Sequence, residues 1–205
     1  MIQKYAMLRK AVTIKKIYKE KSLFFRRFLA SPGTVGSLTP SSAFLARAMF
    51  AQVDWENLGA IAELGAGTGV FTREIANNKK MCCKAAIFEL DDIMRGRLER
   101  KYHDLAFYAN ACDLEQAAQD LGIERFDCIV SGLPFAVFPQ KVRDCILDAV
   151  ESTLKDGGLF VTFQYSLQMR EQLRRRFGDV RLRFVPFNMP PAVVYNCRKG
   201  TLKKI

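Results

Sequence analysis

The 205-residue chain has one histidine and one tryptophan, and its six cysteines (Cys82, Cys83, Cys112, Cys128, Cys145 and Cys197) include no CxxC pair. Without paired thiols or a second imidazole there is no ligand set for zinc, so no metal is expected. The cysteines read instead as reduced, small apolar residues of a cytoplasmic protein. Apolar runs are short and broken by Lys or Arg, well below the roughly 20 uninterrupted residues of a membrane-spanning helix. Residues 4–27 carry Lys and Arg throughout and contain no apolar h-region, which argues against a secretory signal. Repeats and low-complexity linkers are also absent. What is present, 49% apolar and 26% charged residues, describes an ordinary globular domain able to bury a core.

The net charge of +11 is unevenly spread. Residues 1–31 hold nine Lys and Arg against one acid, residues 170–205 ten against two, and the stretch between them thirteen against eighteen. Basic ends around an acidic body suit a polyanionic partner, either nucleic acid or an anionic membrane surface, or act simply as solvated surface.

From about residue 58 onward, β-rich apolar runs alternate with amphipathic helical stretches. Strands are expected at 60–63, 85–89, 106–109, 127–131 and 159–165, with helices at 72–77, 92–102, 114–121, 140–154 and 167–177 between and after them. Two closing runs, 180–185 and 192–197, have no long helix between them. The pattern predicts a doubly wound, mostly parallel seven-stranded sheet of Rossmann-like type with an antiparallel edge pair. Ahead of it, residues 14–29 fit a helix with Ile14, Ile17, Tyr18, Phe24, Phe25, Phe28 and Leu29 on one side and Lys15, Lys16, Lys19, Arg26 and Arg27 on the other. Such a helix suits an anionic membrane interface or packs its apolar side on the domain. The expected division is a basic helical extension at 1–50 and a catalytic domain at 51–205.

The strongest local signal is Ile61-Ala-Glu63-Leu-Gly65-Ala-Gly67-Thr-Gly69-Val-Phe-Thr72, a strand entering a glycine turn and then a helix. Glycines there let the backbone approach a ligand at the strand's C-terminal end. The GxGxG spacing differs from the dinucleotide fingerprint, and Glu63 would repel a pyrophosphate while favouring a cationic amino group. Glu89, with Leu90 behind it, ends the second strand where a carboxylate can accept ribose hydroxyls. Asp113, followed by Leu114, comes after the third strand, within reach of an adenine amine. In these positions the sequence resembles the class I S-adenosylmethionine-dependent methyltransferases, which implies Glu63 to Gly69 at the methionine end, Glu89 at the ribose and Asp113 at the adenine.

The fourth strand ends in Ser131-Gly-Leu-Pro134-Phe135-Ala-Val-Phe138. Adenine and many amide N-methyltransferases place Asn or Asp, then x-Pro-aromatic, at this point, and Gly132 stands here in place of the polar acceptor. A planar base then loses its bidentate partner, and Ser131 is a weak substitute. Three segments, Val35-Gly-Ser-Leu-Thr-Pro40-Ser-Ser42, Ser131-Gly-Leu-Pro134 and Asn188-Met-Pro-Pro191-Ala192, together with the glycine motif resemble the bacterial phospholipid N-methyltransferases over residues 28–198. That resemblance implies a peripheral enzyme at the inner face of the cell membrane. It would methylate phosphatidylethanolamine towards phosphatidylcholine, converting S-adenosylmethionine to S-adenosylhomocysteine, with a basic N-terminal helix touching the bilayer. No obligate protein partner or nucleic acid is expected; the alternatives are ribosomal RNA adenine as the acceptor, or a binding module that keeps the methyltransferase fold without catalysis.

For such a reaction Ser131, Tyr165 or Tyr195 would help a protonated amine lose its proton, and the sequence does not separate them. Phe135, Phe138 and Phe163 are candidates to surround a methylammonium, and Arg198 or Arg174 to Arg176 to meet a lipid phosphate. His103 lies before the third strand, at the end of the sheet away from the ligand, and reads as a surface residue.

Overall fold

In a computed structural model of the chain, residues 40–200 are described. The helix expected at 14–29, including Lys15, Lys16, Lys19, Phe24, Phe25, Arg26, Arg27 and Phe28, lies outside them. The order is α1 (Pro40–Phe50), β1 (Ala60–Leu64), α2 (Val70–Asn78), β2 (Lys84–Phe88), α3 (Asp92–Glu99), β3 (Ala106–Tyr108) and α4 (Leu114–Asp120). Then follow β4 (Phe126–Ser131), α5 (Gln140–Thr153), β5 (Leu154–Gln164), α6 (Arg170–Phe177), β6 (Asp179–Val185) and β7 (Ala192–Arg198). Seven strands form one sheet in the order β3-β2-β1-β4-β5-β7-β6, the first five parallel and β7 antiparallel to both β5 and β6.

Both faces are covered, which is why β1 (Ala-Ile-Ala-Glu-Leu) is buried at every position and does not alternate with solvent. On one face Leu64, Phe88, Ile129 and Phe160 pack with Leu114, Ile146, Val150, Leu173 and Phe177 from α4, α5 and α6. On the other, Ile61, Ile87, Val130 and Val161 pack with Met49, Phe71, Ile75 and Leu98 from α1, α2 and α3. Helix α1 therefore belongs to the packed unit, with Met49 fully enclosed, although the expected boundary placed it in the extension. Asp91 starts α3 by accepting the Ile93 and Met94 N–H groups, and Gly178 (φ 73°) ends α6.

Strand β5 begins five residues before the expected Leu159. Its Asp-Gly-Gly segment reads as a loop but stays in the sheet as an irregularity. Gly157 N–H donates to the Lys199 carbonyl and Lys199 N–H to that of Gly158. The expectation of six free cysteines is corrected as well. Cys112 and Cys145 are disulfide-linked, with Cα atoms 6.0 Å apart, because α5 lies against the turn after β3. A sequence separation of 33 hides that neighbourhood.

Phe160 is fully buried between Phe135 and Phe177, with ring centroids at 6.3 and 5.3 Å. Replacing Phe160 with Ala should lower unfolding stability by about 3–5 kcal/mol, read from the urea midpoint at unchanged slope.

Candidate functional site

The turn after β1 passes through Gly65, Gly67 and Gly69, all at positive φ (80°, 59° and 85°). A Cβ on Gly65 would stand 2.5 Å from a Leu133 methyl, so side chains are excluded by space as well as by backbone conformation. The turn is stitched to its neighbours. Gly65 and Ala66 N–H both donate to the Phe88 carbonyl at 2.8 and 3.0 Å, and Gly132 N–H donates to that of Leu64 at 2.9 Å. A Cβ on Gly132 would sit 3.1 Å from the Gly65 carbonyl, tighter than side chains ordinarily approach. The missing polar acceptor at position 132 thus has a structural reason: two glycine backbones meet there.

Glu63, the penultimate residue of β1, is completely buried. The Thr72 hydroxyl donates to its Oε2 at 2.7 Å, while Oε1 is buried without a hydrogen-bond partner. Burial pushes its carboxyl up to about 8, assisted by the nearby negative Glu89 and opposed by the Thr72 bond. A buried acceptor with an open lone pair fits an ammonium group. Glu89, at the end of β2, receives the Gly67 N–H on Oε2 and the Asp91 N–H on Oε1, both at 2.7 Å. Its carboxylate is thereby fixed beside the glycine turn. Asp113 is exposed at the end of a single 3-10 turn, where the Asn110 amide donates to its Oδ1 at 3.0 Å. Leu90 is half-buried beside the core. The Leu114 side chain is fully enclosed in it, which leaves only its backbone to face a ligand.

Beyond Gly132, the ends of β4 and β5 enclose a cavity of about 340 Å³, lined chiefly by Leu133, Pro134, Val137, Phe163, Gln164 and Tyr165. Gln164 holds its wall. The side-chain amide donates to the Leu133 carbonyl at 3.0 Å and accepts the Ala136 N–H at 3.3 Å. Ser131 Oγ accepts the Leu133 N–H at 3.2 Å from a buried position. Burial raises the Tyr165 phenol above its ordinary range, and a hydrogen bond with Asn188 opposes the shift. Asn188 is itself buried and donates to the Pro190 carbonyl at 2.7 Å.

Several expected site residues lie elsewhere. Phe135 and Phe138 face the core, edge to face at 6.3 Å, because the 3-10 turn at Phe135–Val137 rotates them inward. Among the aromatic candidates, Phe163 is the one that lines the cavity. Tyr195 is fully buried and donates to the Ser166 carbonyl at 2.8 Å. Arg198 pairs in register with Leu159, at the opposite end of the sheet, and its guanidinium donates to the Gly157 carbonyl. Arg176 is tied to Asp144, Asp148 and Glu151 of α5, and exposed His103 precedes β3 at that far end. Thr72, Gln164 and Asn188 were not expected in the site. The available signals were a polar residue closing an apolar strand, for Gln164, and the Asn-x-Pro-Pro segment, for Asn188. Among the described residues no acidic, His or Cys cluster suits a metal.

Residues 61–158 match the family described as a methyltransferase domain. The chain is 34% identical over 185 residues to the ornithine lipid N-methyltransferase of Singulisphaera acidiphila, across 88% of this chain and 96% of that one. Its fold is similar to that of the 1,6-didemethyltoxoflavin-N1-methyltransferase of Burkholderia thailandensis, solved with S-adenosylhomocysteine (TM-score 0.62, 14% identity, 94% of this chain and 90% of that one). It is similar also to a 16S rRNA N2 methyltransferase of T. thermophilus in complex with AdoMet and guanosine (TM-score 0.58, 23% identity, 81% of this chain). The chain spans 44% of the length of that second protein.

Because Glu63 binds its proton more tightly when folded (about 8, against 4.5 ordinarily), the ligand-free protein should lose stability as pH rises between those values. Thermal melts at pH 6 and pH 8.5 should show a lower Tm at the higher pH, and Glu63→Gln should remove most of that difference.

Proposed function

We propose that this chain, which belongs to the S-adenosylmethionine-dependent methyltransferases, methylates the amine headgroup of a membrane lipid, phosphatidylethanolamine and its partly methylated products, towards phosphatidylcholine. It is an enzyme of the class I fold, and S-adenosylmethionine is its cofactor. The observation that carries the lipid reading is the cavity at the ends of β4 and β5. Its wall is mostly apolar, with Phe163 and Tyr165 among the lining residues beside Gln164, Ser166 and Gln168, and it adjoins the glycine turn through Gly132, where a base-methylating site would need an in-plane acceptor. The similarity to a lipid N-methyltransferase over nearly the whole of both chains supports the same reading. It also favours a second acceptor of the same kind, the amine of an ornithine lipid. On this reading the protein works from the cytoplasm as a peripheral protein of an anionic membrane, without nucleic acid.

The buried Oε1 of Glu63 fits the cofactor's ammonium, the Glu89 carboxylate its ribose hydroxyls, and Asp113 its adenine amine. When bound, S-adenosylmethionine supplies a methyl group on a cationic sulfur, which a neutral amine displaces in line. The chain's remaining work is positional. Gln164 and Ser131 hold the Leu133-Pro134 wall against which the amine must be aligned. Phe163 offers a ring face to the ammonium that forms. Tyr165, kept protonated by burial, orients the amine through its hydroxyl rather than acting as a strong base, and it is the one of the three expected proton-handling residues that lines the cavity along its own side chain.

Labelled S-adenosylmethionine offered with phosphatidylethanolamine vesicles, ornithine-lipid vesicles and total RNA should place label in mono-, di- or trimethylated phosphatidylethanolamine. Label in RNA alone would overturn the proposal. Tyr165→Phe should lower kcat/KM for the lipid by about 10- to 100-fold while leaving cofactor affinity unchanged. Cofactor binding pairs the ionised Glu63 with a protonated α-amino group, so by titration calorimetry the Kd should fall roughly eightfold from pH 6 to pH 7, below the range where the amine loses its proton, and Glu63→Gln should abolish that dependence.

A further inference from the structure

The β6–β7 connection returns to the same end of the sheet as the cavity, because β7 runs antiparallel and its first residue, Ala192, pairs with Val185. Its outermost side chains are apolar. Phe187 is 73% exposed and Met189 87%, on either side of the buried Asn188 whose side chain bonds Tyr165 at the cavity wall. Phe44 of α1 meets Phe187 with ring centroids 5.6 Å apart and is itself exposed. Leu167, between the cavity-lining Ser166 and Gln168, and Val137 on the opposite wall are exposed as well. Five large exposed apolar side chains thus lie on the cavity wall or on segments next to it. A soluble surface rarely gathers them so closely without a partner.

Two observations say what the partner is. Phe44, one turn into α1, touches the β6–β7 connection, and 39 residues precede that helix in the sequence. Residues 1–31 of that stretch carry nine Lys and Arg against one acid, and Arg47, one turn beyond Phe44, adds an exposed cation. Exposed apolar tips in a chain whose first 31 residues are strongly basic match an anionic bilayer, whose surface attracts the charge and whose acyl boundary accepts the tips. We propose that Phe187 and Met189, with Phe44 beside them, insert into an anionic membrane and hold the cavity mouth against it, so that a lipid amine enters without its chains leaving the bilayer. This rests on the lipid-amine reading above and assigns its membrane contact to the β6–β7 connection.

The test compares the full chain with a Phe187→Ser/Met189→Ser variant in flotation with phosphatidylethanolamine/phosphatidylglycerol vesicles. It also compares methyl transfer to a short-chain, monomerically dispersed phosphatidylethanolamine. The variant should lose vesicle association by roughly tenfold or more while keeping wild-type turnover of the dispersed lipid. Wild-type association in the variant would overturn the proposal. So would a wild-type dimer that the variant breaks with vesicle binding intact, since the patch would then serve a second copy. If the wild type floats and the variant does not, yet neither transfers methyl to dispersed or bilayer amine lipid, the docking surface stands and the substrate reading fails. To see the tips themselves through any contribution of the basic N-terminal stretch, Phe187→Trp should be quenched by acyl-chain-brominated vesicles well beyond the wild-type Trp55 signal. Absence of added quenching would also overturn the proposal.

Discussion

The site depends on one close approach, the meeting of the Gly65 and Gly132 backbones at the ends of β1 and β4. Gly132 N–H is spent on the Leu64 carbonyl, and Gly65 and Ala66 N–H on that of Phe88, so three strand ends are fastened at one point. From that point Glu63 is aimed inward, Glu89 is held by the Gly67 N–H, and the Leu133-Pro134 turn becomes a cavity wall. A side chain at either glycine would separate the strands that carry the two halves of the chemistry.

Much of this was readable from sequence because it is local. Strand ends follow from apolar runs, and the glycine turn with the carboxylates of Glu63 and Glu89 beside it stands at the strand ends that those runs predict. Direction and distance were not readable. Phe135 and Phe138 have the right chemistry and neighbourhood, yet a single 3-10 turn points both into the core. Arg198 is close in sequence to Asn188, but the seven residues of antiparallel β7 carry it to the far end of the sheet. Thr72, Gln164 and the Tyr165–Asn188 pair act through contacts that only the folded sheet creates.

The electrostatics divide along the same lines. The acid groups at the cofactor end include one that burial and a like charge keep reluctant to ionise without a cation beside it. Glu63 therefore favours a ligand bringing its own positive charge over a neutral analogue. The arginines of α6 look similar in sequence to a phosphate-binding run. Arg176 instead neutralises three carboxylates of α5, and its charge is used within the fold.

The insertion of β7 between β5 and β6 has a consequence for how such an enzyme can change. On the reading proposed above, the elements that would grip the methyl donor all lie between residues 61 and 114. On the same reading the walls that would meet the acceptor come from residues 132–137 and 163–168, with Phe187, Met189 and Phe44 outside them. The two contributions share little beyond the Gly65–Gly132 contact. Replacing the last third of the chain's loops can retarget the acceptor while the donor grip is inherited intact. One scaffold can thus be reassigned among amine-bearing substrates by drift in a single stretch of sequence.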